Sequence, residues 1–271
     1  SNGYDVNEIQ SSGIGFHNDW VTIQIGRGRE NWGAGNDIQL VLSESSNNYD
    51  YFLLSSDYGK IRVKYIHGFL ERIEGINRYI TARGIEWTNK GTIIIGVSEI
   101  IIYSGLNRSL EIGYLNPIST HLEVELNNRL NTPGTDGSNG SWQFHLDWFL
   151  KNKLRFSLNV LYDEFVIDPD IEIGKRDSKA YSFRLAYTPI NTSKNIFNIY
   201  SSYVYVGKTT FRHVTGTNNF VQGGKPLGWQ NGSDGQELKF GINYLKRNKL
   251  LITISNGMLI TGDESITDRV F

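Results

Sequence analysis

Cysteine is absent from this chain of 271 residues, and with it go disulfides and thiolate metal sites. That absence suits a reducing cytoplasm and equally a sheet held by its own closure, so it leaves the compartment open. Proline and methionine are scarce, at 5 and 1. No apolar run reaches the roughly 18 residues of a membrane helix; the longest, IIIGVSEIIIYSGL at 93–106, is β-branched and interrupted by Glu99. Any membrane passage must therefore be made by strands. Charge of one sign is not in excess either, with 27 Lys+Arg against 28 Asp+Glu and no basic block, which excludes the electrostatic footprint of a nucleic-acid partner. Helical stripes are missing apart from HLEVELNNRL (121–130), the one segment where a helix competes. SNGYDVNEIQ has no basic, apolar leader pattern and reads as a mature or a cut start.

What is present is glycine and aromatic residue: 29 Gly, 15 Tyr, 13 Phe and 6 Trp, a β-rich profile. Alternation dominates. In WQFHLDWFL (142–150), Trp142, Phe144, Leu146, Trp148 and Leu150 oppose Gln143, His145, Asp147 and Phe149. LRFSLNVLYD (154–163) and KAYSFRLAYTP (179–189) repeat the pattern, and QELKFGINYLKRNKLLITISNG (236–257) reads as two strands around KRNK. Further strands are expected at 19–27, 37–44, 59–71, 77–88, 91–103 and 194–206. This gives roughly ten to twelve strands of about 9 to 12 residues, long enough to cross a bilayer when tilted. Short links such as KNK and KRNK alternate with long polar ones at 131–141, 166–178 and 215–235, as tight periplasmic turns alternate with outer loops.

Two all-β architectures share this alternation. A soluble sandwich buries its apolar face as a core, whereas a membrane barrel turns that face to lipid and rings it with aromatics at both margins. Aromatics stand at both ends of the apolar faces of 142–148 and 181–187, and the opposite faces carry His145, Asp147, Arg155, Asn159, Asp163 and Arg184, too polar for a small core. The expected fold is an all-β, antiparallel transmembrane barrel of the outer membrane, as one domain over 1–271. IIIGVSEIIIYSG is apolar on both parities, and a bulge near Gly96 and Ser98 is expected to turn Glu99 inward.

GRGRENWGAG (26–35) invites a phosphate-loop reading, but Asn31 stands where a third glycine belongs and a strand-like run follows instead of a helix. Its GR and WGAG, with a run ending in Leu42 and Ser43, form the first of five landmarks. GVSEIIIYSG (96–105), YLNP (114–117), LYDEF (161–165) and PLGWQNGSDGQEL (226–238) follow in order. Together they resemble the Wzi family of outer-membrane capsule-assembly proteins. The resemblance implies a non-enzymatic barrel that holds or organises surface or capsular polysaccharide, in contact with membrane lipid and with other envelope proteins as further candidate partners. Family members carry a substantial part ahead of the first landmark, where about 25 residues stand here, so the chain is expected to be a portion of a larger barrel.

Arg27 and Arg29, with Glu30, are expected to pair charges inside the barrel or at its rim, and Trp32 to anchor at an interface. The same group offers the aromatic face and guanidinium forks that acidic sugars use. Glu99, Asp147, Asp163 and Glu164 are the carboxylates most exposed to sequestration, with Arg155 and Arg184 as their expected partners; a glycosidase pair is the competing reading. Tyr103, Asn116 and Trp229 complete the polysaccharide or lumen candidates. The five histidines lack a serine partner, and no ligand cluster implies a metal or a cofactor. Remaining alternatives are a diffusion channel, a barrel subunit of a larger envelope machine, a soluble carbohydrate-binding sandwich, and an enzyme using Glu99 or Asp163. The terminal Phe271 resembles the closing aromatic of many outer-membrane barrels.

Overall fold

The computed structural model describes residues 11–120, 137–151, 153–164, 178–213, 216–264 and 266–267. Twelve strands make one antiparallel sheet in chain order: β1 (Ser12–His17), β2 (Val21–Gly28), β3 (Tyr49–Tyr58), β4 (Ile61–Phe69), β5 (Ile76–Thr88), β6 (Ile93–Leu106), β7 (Ser138–Lys151), β8 (Leu154–Glu164), β9 (Ser178–Asn191), β10 (Asn195–Val206), β13 (Gly235–Lys246) and β14 (Leu250–Thr261). A one-turn helix, α1 (Ile112–Leu115), follows β6. Within the link after β10, β11 (Val221–Gln222) and β12 (Lys225–Pro226) form a separate ribbon.

Link chemistry explains the meander. At one end the connections are two to four residues long, and their side chains or backbones supply the reversal. Asn89 Oδ1 accepts the amides of Gly91, Thr92 and Ile93 at 2.8–3.0 Å, while Asn248 takes a left-handed φ of 60°. At the other end every link has six residues or more. This segregation is the one the polar long segments and the KNK and KRNK turns predict.

The two faces of the sheet differ in chemistry. Links 29–48 and 207–234 pack on the face carrying Asn159, Ser182 and Asp163, here the inner face. The outer face is apolar and exposed, with Ile25, Ile85, Phe144, Phe183, Leu185, Ile199 and Ile254 across its middle. Aromatics mark both margins: Tyr58, Trp87, Trp148 and Tyr187 near the short turns, and Phe69, Tyr162 and Tyr181 near the long links. An apolar band of this extent between two aromatic rows is what a bilayer requires and what a soluble sandwich cannot leave uncovered.

Several boundaries differ from the sequence expectation. Residues 37–44 are not a strand: the run folds onto the inner face, with Ile38, Leu40 and Val41 completely buried, because its backbone is met by Asn159, Ser182 and the second inner link in place of a neighbouring strand. The stretch 59–71 holds only β4, and β1 and β3 were not anticipated. β6 pairs with β5 and β7 in unbroken register, so the bulge at Gly96 and Ser98 is absent. Its double-sided apolar half is buried twice, by the inner links and by Tyr114 of α1 stacked on Tyr103 outside. HLEVELNNRL and Phe271 lie outside the described residues.

Leu185 sits midway along β9 on the outer face and is 45% exposed. Leu185→Arg is expected to cost about 2–4 kcal/mol in a bilayer, read by denaturant titration of vesicle-inserted protein. Unchanged stability would disqualify this face as the lipid face.

Candidate functional site

The site builds from the glycine-rich stretch. β2 ends at Gly28, and the Arg29 guanidinium donates to the carbonyls of Glu44 at 2.5 Å and Ser46 at 3.4 Å, tying together the two ends of link 29–48. Glu30 meets Lys64 at 2.5 Å and accepts the Trp32 indole N–H at 3.2 Å, while Lys64 lies 5.1 Å from the Trp32 ring centre. The ring lies over Gly84, where a β-carbon would stand 3.0 Å from it. Gly33 and Gly35 adopt φ of 115° and 77°, turning the chain across the inner face.

Asn159 then clasps the link. Its Oδ1 accepts the Ala34 amide at 2.7 Å, and its Nδ2 reaches the carbonyls of Ala34 at 3.0 Å and Ile38 at 3.2 Å. Ser182 donates to the same Ile38 carbonyl at 2.6 Å. The second link is stitched to the first, the Trp229 amide donating to Leu40 O and the Ser43 amide to Leu227 O. Trp32 is therefore a buried plug residue, 6% exposed, and not an interface anchor; Trp229, at 3%, is likewise closed to a sugar. Burial satisfies the apolar rings at the centre of the plug, which an interface anchor would leave half wet.

The carboxylates fall on two faces. Asp147 is bidentate to Arg155 and takes a hydrogen bond from Ser157, as the inner-face expectation has it. Asp163 accepts from Ser141 Oγ at 2.5 Å and from the Phe211 amide at 2.6 Å, so it holds link 207–234 to the wall. Arg184 donates to Asn36 O and lies 3.8 Å from the Tyr200 ring. Glu164 ends β8. Glu99 does not turn inward. It keeps the parity of Ile95 and Val97 on the outer face and pairs with Arg83 at 3.4 Å, and Arg83 donates to Asn116 O at 3.1 Å. Residues 108–120 shelter this pair, with Tyr103 between Tyr79 and Tyr114 in a stack and Arg108 5.0 Å from its ring. A cavity of about 820 Å³ adjoins the pair beneath Pro117 and Ile118.

An accessible cleft of about 640 Å³ stands at the long-link rim, lined by Gln24, Arg27, Arg29, Glu44, Asn48 and Tyr51, and a smaller one of about 350 Å³ is lined by Asn36, Arg155, Arg184 and Asn198. Arg27 pairs with Asp50 at 3.2 Å, and Gln24 donates to the Tyr51 hydroxyl at 3.3 Å. The structure thus brings Arg27 and Arg29 together at the rim, Trp32 and Trp229 together in the plug, and Glu99, Tyr103 and Asn116 together outside.

No protein-family model matches the chain, and neither does any curated protein. Among solved structures it is similar to Wzi of Escherichia coli, an outer membrane protein involved in group 1 capsule assembly and a carbohydrate-binding β-barrel. The TM-score is 0.69 at 11% identity, over 95% of this chain and 66% of that one. By fold the chain is an outer-membrane β-barrel. Two further structures are similar at lower scores, an anion-selective porin from Comamonas acidovorans (TM-score 0.41, 10% identity, 92% of this chain and 58% of that one) and OccK11 of Pseudomonas aeruginosa (0.46, 12%, 93% and 66%). Neither score bears on function. The chain spans 66% of the length of the Wzi barrel.

Gln24, Asn48 and Tyr51 were missed by sequence reasoning. Gln24 lies within the expected strand 19–27 and Tyr51 within the alternation of YDYFLL, just after Asn48 in a polar stretch, and neither pattern names a site by itself. Beyond β14, Glu264 closes the rim on Arg212 at 3.0 Å and Lys208 at 3.4 Å. Against the desolvation of its setting, these two cations hold the Glu264 carboxyl below its ordinary range. A depressed carboxylate contributes stability above its unfolded pKa and loses it as pH falls through the folded value. Segment 262–267 is therefore expected to become protease-sensitive in acid and not at neutral pH, and Glu264→Gln is expected to abolish that pH step.

Asn159→Ala is expected to cost at least about 2 kcal/mol, since it strands the Ala34 amide and the Ala34 carbonyl in a buried site. It is also expected to raise protease cleavage within 29–48. Wild-type protection in the variant would show that the clasp does not hold the plug.

Proposed function

We propose that this chain resides in the bacterial outer membrane and acts there as a non-enzymatic attachment or assembly factor for surface polysaccharide, capsular polysaccharide included. The observation that carries the reading is the plug. Ile38, Leu40, Val41 and Leu42 are at most 1% exposed and bound to the wall through Asn159 and Ser182, so the inner face supports a sealed scaffold better than a pore. The carbohydrate-binding barrel with which the chain shares its fold supports the same reading.

The binding element is the rim cleft. Arg27 and Arg29 supply forks for acidic sugar carboxylates, and Gln24 and Asn48 supply amides that match hydroxyl pairs, over a floor formed by the buried Tyr51. Turnover is disfavoured by the carboxylates themselves. Asp147, Asp163 and Glu99 are each engaged in holding the wall, the plug or the outer cluster.

Glycan-array binding and cell-surface retention assays test the proposal. Arg27→Ala with Arg29→Ala is expected to lower glycan affinity about tenfold or more, the scale of losing charge-assisted hydrogen bonds, with heat-modifiable migration in detergent preserved. Absence of any glycan binding by the wild type would sink the reading. Porin-sized single-channel conductance would replace it with the channel reading.

A further inference from the structure

The short-turn end carries a charge pattern that neither the plug nor the rim cleft uses. Each of the five hairpin turns from β3 onward bears an exposed lysine: Lys60, Lys90, Lys153, Lys194 and Lys249. Directly along the strands from these turns, on the outer face, stand Tyr58, Trp87, Trp148 and Tyr187. Of the acidic residues at this end, Asp57 is taken by Arg62 at 2.9 Å, and Asp19 stands in the β1–β2 turn, which carries no lysine. Over the whole chain acids and bases nearly cancel, at a net charge of −1, so this cationic end is a local concentration, whereas at the long-link end Arg27 pairs with Asp50 and Arg78 with Glu71.

We infer that the short-turn rim is a collar for anionic phospholipid headgroups, its lysines holding lipid phosphates of the adjoining leaflet while the aromatic row fixes the depth of the barrel. The inference rests on the strands crossing a bilayer. Membrane phosphate is favoured over an acidic glycan because the aromatic row places the lysines at headgroup depth around the perimeter of the band, where lipid is the neighbour. A glycan site would gather its cations into a cleft with hydrogen-bonding amides, as the opposite rim does.

The test uses the full chain reconstituted in phosphatidylcholine vesicles doped with spin-labelled phosphatidylglycerol or spin-labelled phosphatidylcholine. The relative association of the two labels with the protein is read by electron spin resonance. The wild type is expected to favour phosphatidylglycerol by about fivefold or less per contact, the scale of one lysine at a charged surface, and to lose that preference at high salt. Replacing the five lysines with glutamine is expected to bring the preference to unity. Replacing them with arginine is expected to keep it, and Lys208→Gln with Lys225→Gln at the opposite end is expected to leave it unchanged. Equal association of both lipids with the wild type, or a preference that survives the glutamine variant, would overturn the collar. So would a glutamine variant that keeps its lipid preference but loses acidic-polysaccharide binding. A chain that never becomes compact and heat-modifiable in bilayers would remove the membrane reading, and the collar with it.

Discussion

The constraint on which the rest depends is the satisfaction of link 29–48 by the inner wall. A backbone segment laid across a sheet face has donors and acceptors that the sheet's ladder cannot meet, because the ladder's own groups are already paired. Asn159, fully buried, supplies what the ladder cannot: an acceptor for Ala34 and donors for Ala34 and Ile38. Once that polar cost is met, the apolar side chains of Ile38, Leu40 and Leu42 are free to stabilise the arrangement, each by about 1.5–3 kcal/mol of burial. Link 207–234 docks partly on the first link, through Trp229 to Leu40 and Leu227 to Ser43, and partly on the wall itself, through Asp163 to Phe211, Asn139 to Asn218 and Arg78 to Asn219.

The outer face obeys the opposite rule. Hydrocarbon offers no hydrogen bonds, so an ion pair such as Arg83 with Glu99 midway along β5 and β6 would be costly if bare. It is not bare. Asn116 takes one guanidinium N–H, and the Tyr79, Tyr103 and Tyr114 stack closes the long-link side. The segment that follows β6 therefore does on the outside what link 29–48 does on the inside, covering polar wall with chain that supplies its own partners. The second half of β6, apolar on both parities, is buried from both sides, as are the neighbouring stretches of β4 and β5.

Alternation made the fold legible. Strands β5 to β10, β13 and β14, the polar inner face with Asn159 and Arg184, and the aromatic margins can all be read in the sequence, because a period of two with one lipid face leaves a strong mark. The segment 37–44 was misread for the same reason the method works elsewhere. IQLVLS has the composition of a strand, and only the partners of its backbone, Asn159 and Ser182 more than a hundred residues away, decide that it is a plug. Trp32 and Trp229 were misplaced because an amphipathic ring suits an interface and a dry plug equally well. Glu99 was expected inside because a buried charge is ordinarily a lumen charge; its shelter comes from α1 and its neighbours, which carry no helical periodicity long enough to read. The cleft around Tyr51 lay in β3, a strand hidden by the polar run before it.

The sheet edges tie these observations to function. A strand edge in hydrocarbon leaves rows of amides and carbonyls unpaired at several kcal/mol each, so β1 and β14 in a bilayer must be paired, with one another or with further strands. β14 is exposed along all twelve of its residues, whereas the wall from β3 to β10 is covered by the two inner links. The plug is thus anchored to the middle of the sheet, well away from its edges. A seal fixed in this way does not depend on how the edges meet, and the rim cleft between Arg27, Arg29 and Tyr51 is presented by β2 and β3 at the border of the sealed wall. On the proposed reading, recognition at the rim and closure of the wall are in this sense separable, and a scaffold that held a surface polymer without passing it inward would need both.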